Sequence, residues 1–305
     1  MAQPIITTTY AGQFAGEYIG AALLSGNTLA NQLITIKPNI KLKEVIKKVD
    51  YASAIAAGTC DFTSAGTVTL TERILQPDEL QVNLELCKTP FQSDWEAESM
   101  GYSAHDAMPP KFSDFFIARL SADVAQGTEQ RIWGADGFNG LFTAAAFAAD
   151  GGVTIAPVVG GVDAGNVVTE LGKVVDAINS SLYGKDDLFI YVSQNVWRAY
   201  KRSLGGFQAN GVGANGFDVR GNNQDIDIQY FDGVKLVVAN GFDDDRMVAA
   251  EKTNLFFGTG LLNDQNEVKV LDMSDLDGSK NVRFVMRYTA GVQYGIASDI
   301  VFYGA

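Results

Sequence analysis

The sequence predicts an α+β or mixed α/β protein, and three features carry that expectation. Leu80, Val82, Leu84 and Leu86 alternate strictly with Gln81, Asn83, Glu85 and Cys87, the pattern of a strand with two unlike faces. The alternation returns near the end, where Val282, Phe284, Met286 and Tyr288 interleave with Arg283, Val285, Arg287 and Thr289. Between them, residues 113–133 place Phe116, Leu120, Val124 and Gly127 on one helical face. Strands gathered around a long helix are the signature of segregated layers.

Taken in order, residues 1–36 form an arm rich in Ala, Gly, Thr and Asn, whose only charge is Glu17. Lys37, Lys41, Lys43, Lys47 and Lys48 follow, interleaved with Leu42, Val45, Ile46 and Val49, as the solvated face of a short element. Residues 52–66 are small and polar and read as an exposed loop. A strand runs from Thr67 to Leu75 with Val68, Leu70 and Ile74 on one face. Gln76-Pro77-Asp78-Glu79 is a turn into the next strand.

Pro109-Pro110 interrupts the chain, and Ser113 is the expected N-cap of the long helix, which closes at Gly134. About 20 residues make a rod of roughly 30 Å. Residues 134–165 are Gly- and Ala-rich. A helix over Val167–Tyr183, a buried strand over Leu188–Val192 and a helix over Ser193–Leu204 follow. Then come a Gly/Asn loop (205–223) and strands at 226–231, 234–239, 247–250 and 254–257. A last short strand holds Val268 and Val270, and Asp272–Gly278 is an acidic turn.

Composition narrows the function classes. The net charge of −13 excludes a general nucleic-acid binder, since phosphate contact requires surplus Lys and Arg. Residues 1–60 set five Lys against Glu17, Glu44 and Asp50, a net of +2, so the rest carries −15. Mean hydropathy near zero with 47% apolar residues describes a folded chain. Cys60 and Cys87 make neither a disulfide framework nor a zinc set. Met-Ala-Gln-Pro lacks a basic n-region before an apolar core and no apolar run reaches membrane-helix length, so no signal peptide, production in cytoplasm and no membrane partner are expected.

No motif in the chain meets the geometric demands of catalysis or metal binding. The single histidine, His105, lies in Ser103-Ala104-His105-Asp106, where adjacency supplies none of the geometry of a triad. Gly211-Val212-Gly213-Ala214-Asn215-Gly216 matches GxGxxG but lies in a loop rather than between strand and helix. Asp243-Asp244-Asp245 and Asp272–Gly278 are acidic turns, and the second departs from the EF-hand pattern. No catalytic, cofactor or metal residues are assigned.

The order of three motifs carries a resemblance. The long helix runs into Gly134-Ala135-Asp136-Gly137-Phe138-Asn139-Gly140-Leu141-Phe142; Tyr191-Val192-Ser193-Gln194-Asn195-Val196-Trp197-Arg198-Ala199-Tyr200 forms a strand-to-helix step; Asn254-Leu255-Phe256-Phe257-Gly258 precedes the closing hairpin. Over residues 110–305 the chain resembles the major capsid proteins of tailed bacteriophages, a fold shared with herpesvirus shells and encapsulins.

That resemblance implies an N-terminal arm (1–36), an extended loop region (37–75), a peripheral domain (76–142 and 263–299) with its spine helix, and an axial domain (143–262 and 300–305). It implies hexamers and pentamers of one icosahedral shell, enclosing double-stranded DNA without reading its sequence, assembled in the host bacterial cytoplasm. Separate scaffolding, decoration and portal proteins are the implied partners. Tyr10, Phe14, Tyr18, Phe62, Arg73, Arg283 and Arg287 are the candidate inter-subunit contacts. Residues 49–75 contain no Lys, so no isopeptide crosslink is expected there. Deleting residues 1–30 is expected to leave a folded, assembly-poor subunit. The alternatives are an encapsulin-like compartment shell and, from another class, a cytosolic hydrolase.

Overall fold

The computed structural model describes residues 27–52, 60, 67–87, 110–203, 229–260 and 269–304. The two alternating segments pair with each other. β4 (Asp78–Cys87) and β12 (Asn281–Tyr294) run antiparallel from Asn281↔Cys87 to Ala290↔Asp78. This register sets Leu80, Val82, Leu84 and Leu86 beside Tyr288, Met286, Phe284 and Val282 on one face. β11 (Lys269–Asp272) pairs with the start of β12. β10 (Leu255–Gly258) pairs with its end and runs parallel to β1 (Thr35–Lys37).

After the one-turn helix α1 (Asn27–Ala30), the long helix, α2 (Pro110–Trp133), packs on the apolar face of that sheet. It begins three residues before Ser113, because proline suits the first helical turn, where its missing N–H has no partner to lose. It closes where expected, with Gly134 N donating to Gln130 O at 2.7 Å. Its buried face runs through Leu120, Val124, Thr128 and Ile132, at i+4 spacing, while Gly127 is exposed. Thr128 Oγ1 meets Tyr288 Oη at 3.1 Å across the helix–sheet seam.

A second sheet has the order β5-β13-β9-β6-β8-β7, with β5 Val153–Ile155, β6 Leu188–Val192, β7 Gln229–Phe231, β8 Val234–Val238, β9 Met247–Glu251 and β13 Val301–Tyr303. Both faces are covered, which explains its nearly continuous apolar runs. Met247 and Ala249 face a core built with α5 (Val167–Asp176) and α6 (Gln194–Ser203). Val248 and Ala250 face the core that holds α2, α3 (Phe138–Thr143) and α4 (Ala145–Ala149). Trp133 lies at the centre of this second cluster, its ring within 5.2 Å of Phe138, Tyr191 and Phe242.

Several expected boundaries move. The Gly/Ala stretch 134–165 contains α3, α4 and β5. Gly137 is required there, since a Cβ would strike the carbonyls of Arg131 and Ile132. The helix expected over Val167–Tyr183 stops at Asp176, and Asn179 Oδ1 turns the chain by accepting Ser181 N at 3.1 Å. Ser193 precedes α6, its carbonyl accepting Trp197 N at 3.0 Å. Asn254 belongs to a 3-10 turn before β10. The acidic turn holds one helical turn, α7 (Ser274–Asp277), ended by Gly278 at φ 71°.

β2 (Glu44–Ala52) and β3 (Thr67–Leu75) form a separate two-stranded hairpin, paired from Glu44↔Leu75 to Ala52↔Thr67. The lysine cluster therefore lies partly in a long strand rather than on a short element. His105, residues 53–59 and 61–66 of the expected loop, the whole of 204–228 with the Gly211–Gly216 motif, Val268 and the side chain of Phe116 fall outside the described residues.

Candidate assembly surface

The hairpin β2–β3 turns to solvent a largely apolar face that a Lys–Glu pair interrupts. Cross-strand pairing places Val45 opposite Ile74 and Val49 opposite Leu70, with Lys47 opposite Glu72 between them. Val68 and Leu70 are 61% and 66% exposed, and Val45, Val49 and Ile74 are also exposed. Val68, Leu70 and Ile74 do share a face, but nothing among the described residues covers it. Two strands cannot bury a face of their own. An exposed apolar stripe of this kind, carried on a projecting hairpin, is the physical mark of a surface that meets another chain.

The hairpin's base is firmly held. Leu75 is fully buried against Gly258, where a Cβ would crowd its side chain. Gln293 Nε2 donates to Ile74 O at 3.1 Å. Arg73 donates from Nε to Gly295 O at 3.0 Å and from Nη2 to Asp150 Oδ2 at 2.6 Å, and its guanidinium lies 4.1 Å from the centre of the Tyr294 ring.

A second feature lies at the root of the N-terminal segment. Glu129, on α2, is 2% exposed. It accepts hydrogen bonds from Thr28 N, at 3.2 Å, and from Thr28 Oγ1. Trp133 Nε1 donates to the same Thr28 hydroxyl at 2.7 Å. Burial raises the Glu129 pKa above 4.5, and the hydrogen bonds from Thr28 oppose the rise. Asn27 Nδ2 donates to Val238 O at 2.8 Å, and Tyr191 Oη donates to Leu33 O at 2.6 Å. Leu33 and Ile34 are buried. Residues 27–37 are thus held to the body by buried side chains and hydrogen bonds.

Of the candidate contacts, Tyr10, Phe14, Tyr18 and Phe62 lie outside the described residues. Arg73 is engaged within its own chain, as above. Arg283 and Arg287 lie on the outer face of β12 and are exposed. Arg283 Nε donates to Glu85 Oε2 at 2.9 Å, and Arg287 is paired in register with Gln81.

The acidic turns have local structural work. Asp245, at φ 62°, accepts from Val162 N at 2.9 Å and from Asn195 Nδ2, joining the 161–163 loop to the start of α6. Asp272 Oδ1 accepts Ser274 N at 3.0 Å, and Asp277 Oδ1 accepts Ser279 N at 2.9 Å. Among the described residues no three His, Cys, Asp or Glu side chains converge as a metal site. A groove of about 520 Å³ beside the end of α2 is lined by Gln130, Gln194, Asn240, Phe242, Asp243 and Asp244, with backbone from Gly134 and Gly241.

Sequence reasoning missed the Glu129 cluster. Its one visible signal is the spacing of Glu129 and Trp133, i and i+4 on one helix face, which aligns a carboxylate with a large aromatic residue.

No protein-family model matches the chain, and no curated protein sequence does. Likeness is found among solved structures. A chain from the capsid of a native GTA particle, computed with C5 symmetry, is similar over 96% of this chain and 95% of its own, with TM-score 0.62 and 12% identity. A chain from the capsid of cyanophage P-SCSP1u covers 97% and 93%, with TM-score 0.57 and 12% identity. One from Mycobacterium phage Che8 covers 100% of both, with TM-score 0.55 and 14% identity. The chain has the α+β fold of phage capsid chains. The fold class read from the sequence, and the resemblance that named it, agree with this likeness.

Proposed function

We propose that this chain is the major capsid protein of a tailed-phage-type virion, self-assembling into hexamers and pentamers of an icosahedral shell around double-stranded DNA. The observation that carries this reading is the largely apolar face of β2–β3, which no described residue covers, held on a body whose fold is that of capsid chains. A second copy of the chain is the partner best suited to that face, because repeated self-contact would cover it in every subunit. Each contact is modest, and repetition around a closed shell makes the assembly stable.

On this reading the body divides into a peripheral part around β4, α2 and β12 and an axial part around the six-stranded sheet. β9 and β10 belong to different sheets, which supports a boundary between Glu251 and Leu255 rather than at 262. Residues 1–26, with Tyr10, Phe14 and Tyr18, would embrace a neighbouring subunit. Phe62, Arg283 and Arg287 would face neighbours. The net negative charge suits a wall that confines DNA without gripping it. The protein acts as a building element rather than an enzyme, assembled in host cytoplasm with separate scaffolding, decoration and portal proteins.

Sedimentation velocity over a range of concentrations tests this. Large closed species should form above a threshold concentration in the wild type and fail to form in Leu70→Glu. A wild-type protein that stays monomeric at every concentration and salt would overturn the reading.

A further inference from the structure

We infer that Arg73 is a positioning residue, a latch that fixes the angle at which the hairpin β2–β3 projects from the body. The inference rests on the shell reading for its consequence, though not for its geometry.

Arg73 occupies the last stretch of β3 before the chain enters the body. One guanidinium there holds two separate pieces of structure, the end of β12 at Tyr294–Gly295 and the turn at Asp150. Its Nε reaches Gly295 O, just beyond the end of β12, where the chain leaves the first sheet for the second. Its Nη2 reaches Asp150, at the end of α4 and before β5. Its plane lies over Tyr294, the last residue of β12, which itself packs against Phe142 and Phe147 in the core. Arginine alone combines a planar fork with stacking, so lysine could replace the charge but not the arrangement.

Outward of Arg73 the hairpin changes character. Residues 68–72 on β3 are all exposed, as are Val45, Lys47 and Val49 on β2. Inward of it Leu75 is fully buried. The guanidinium therefore marks the fulcrum of a lever. The β2–β3 ladder joins the two strands into one element, and Arg73 ties that element to the end of β12 and to Asp150 before β5. A lever carrying the apolar contact face on each subunit sets the angle between neighbours, and hence the curvature at which a shell closes. Arg73 does this through contacts within its own chain.

The test has two arms. In the first, a spin label is placed on the naturally exposed Cys60, near the hairpin's end, and a second on Asp176→Cys, exposed on α5, in a Cys87→Ser background. Double electron–electron resonance is recorded on the unassembled full-length chain. Arg73→Ala should broaden the distance distribution about two-fold or more, as expected when a latch on a lever is lost. Arg73→Lys should fall between, and Asp150→Ala, at a half-exposed position, should broaden it partially. An unchanged width in Arg73→Ala, or in Asp150→Ala if the former does not fold, overturns the inference.

In the second arm, particles are measured by electron microscopy. Arg73→Ala should give shells of mixed diameter from subunits whose far-ultraviolet circular dichroism is unchanged; uniform shells of wild-type diameter would contradict the role in curvature. If the wild type forms no shells, the shell reading falls, and the label distances alone still decide whether Arg73 fixes the hairpin.

Discussion

Thr28 donates both its backbone N–H and its hydroxyl to Glu129, 101 residues further along the chain, and so fastens the root of the N-terminal segment to the long helix. Trp133 completes the cluster by donating to the same hydroxyl. The bonds are buried, where an unmade partner costs more than a made one contributes. Thr28→Ala should lower stability by about 1–3 kcal/mol, the cost of leaving buried groups unpaired. Urea denaturation followed by tryptophan fluorescence checks this; a midpoint equal to wild type would show that the cluster contributes nothing net.

The same anchorage revises the truncation expected from sequence. Deleting residues 1–26 should leave a folded subunit. Extending the deletion through Ile34 removes Thr28 and the buried side chains of Leu33 and Ile34, each worth about 1.5–3 kcal/mol of burial. A deletion of 1–30 already removes Thr28 and falls on the destabilised side. Thermal unfolding of the two truncations should separate them clearly, and equal midpoints would place the arm's root elsewhere.

Glu129 makes a pH-dependent contribution of defined sign. Its folded pKa lies above 4.5, chiefly because burial disfavours the charged carboxylate. The folded state therefore holds the proton more tightly than the unfolded state. The stability contributed is complete below the unfolded value and is lost as pH rises from there through the folded pKa. Glu129→Gln cannot titrate, so the stability of wild type relative to Glu129→Gln should decline as pH rises from about 4 toward neutrality. Denaturation of both proteins at a series of pH values reads this directly; a difference that grows with pH would reverse the assignment.

Leu120 is 4% exposed on the face of α2 that meets Phe284 and Met286. Leu120→Ala should cost about 2–5 kcal/mol through the cavity it leaves. Leu120→Asp adds an unpaired buried charge and should prevent folding. A soluble, cooperatively unfolding Leu120→Asp protein would mean that this face of the helix is not the buried one.

The exposed hairpin should behave in the opposite way. Leu70→Glu and Val45→Glu alter side chains that touch solvent, so subunit stability should change by no more than about 0.5 kcal/mol. The critical concentration for assembly should rise at least about ten-fold, the equivalent of 1.4 kcal/mol per contact. Light scattering against protein concentration measures it, and an unchanged threshold would remove the hairpin face from the contact.

The strands were legible because their information is local. Alternation in 80–86 and 282–288 specifies both the strand and its inward face, and the register Val282↔Leu86 follows once the two pair. The end of α2 was legible because Trp133-Gly134 carries its own stop. What escaped depends on distant partners. Glu129 looks like any surface glutamate until Thr28 arrives from another part of the chain. Arg73 reads in the sequence as a candidate inter-subunit contact, and only the meeting of Asp150, Tyr294 and Gly295 reveals that it is held within its own chain. Val68, Leu70 and Ile74 announce a face, but alternation does not say whether that face meets a core, a neighbour or water. The helix over 167–183 was drawn too long because its apolar spacing continues to Ile178, while Asn179 and Ser181 turn the chain by hydrogen bonds that spacing does not register.

Cryo-electron microscopy of the purified wild-type protein at high concentration is the most direct measurement of the central claim. Closed icosahedral shells, with the β2–β3 face of each subunit covered by a neighbouring copy, are the predicted result. Discrete monomers or small open oligomers in which Val45, Val49, Val68 and Leu70 remain in contact with solvent would contradict it.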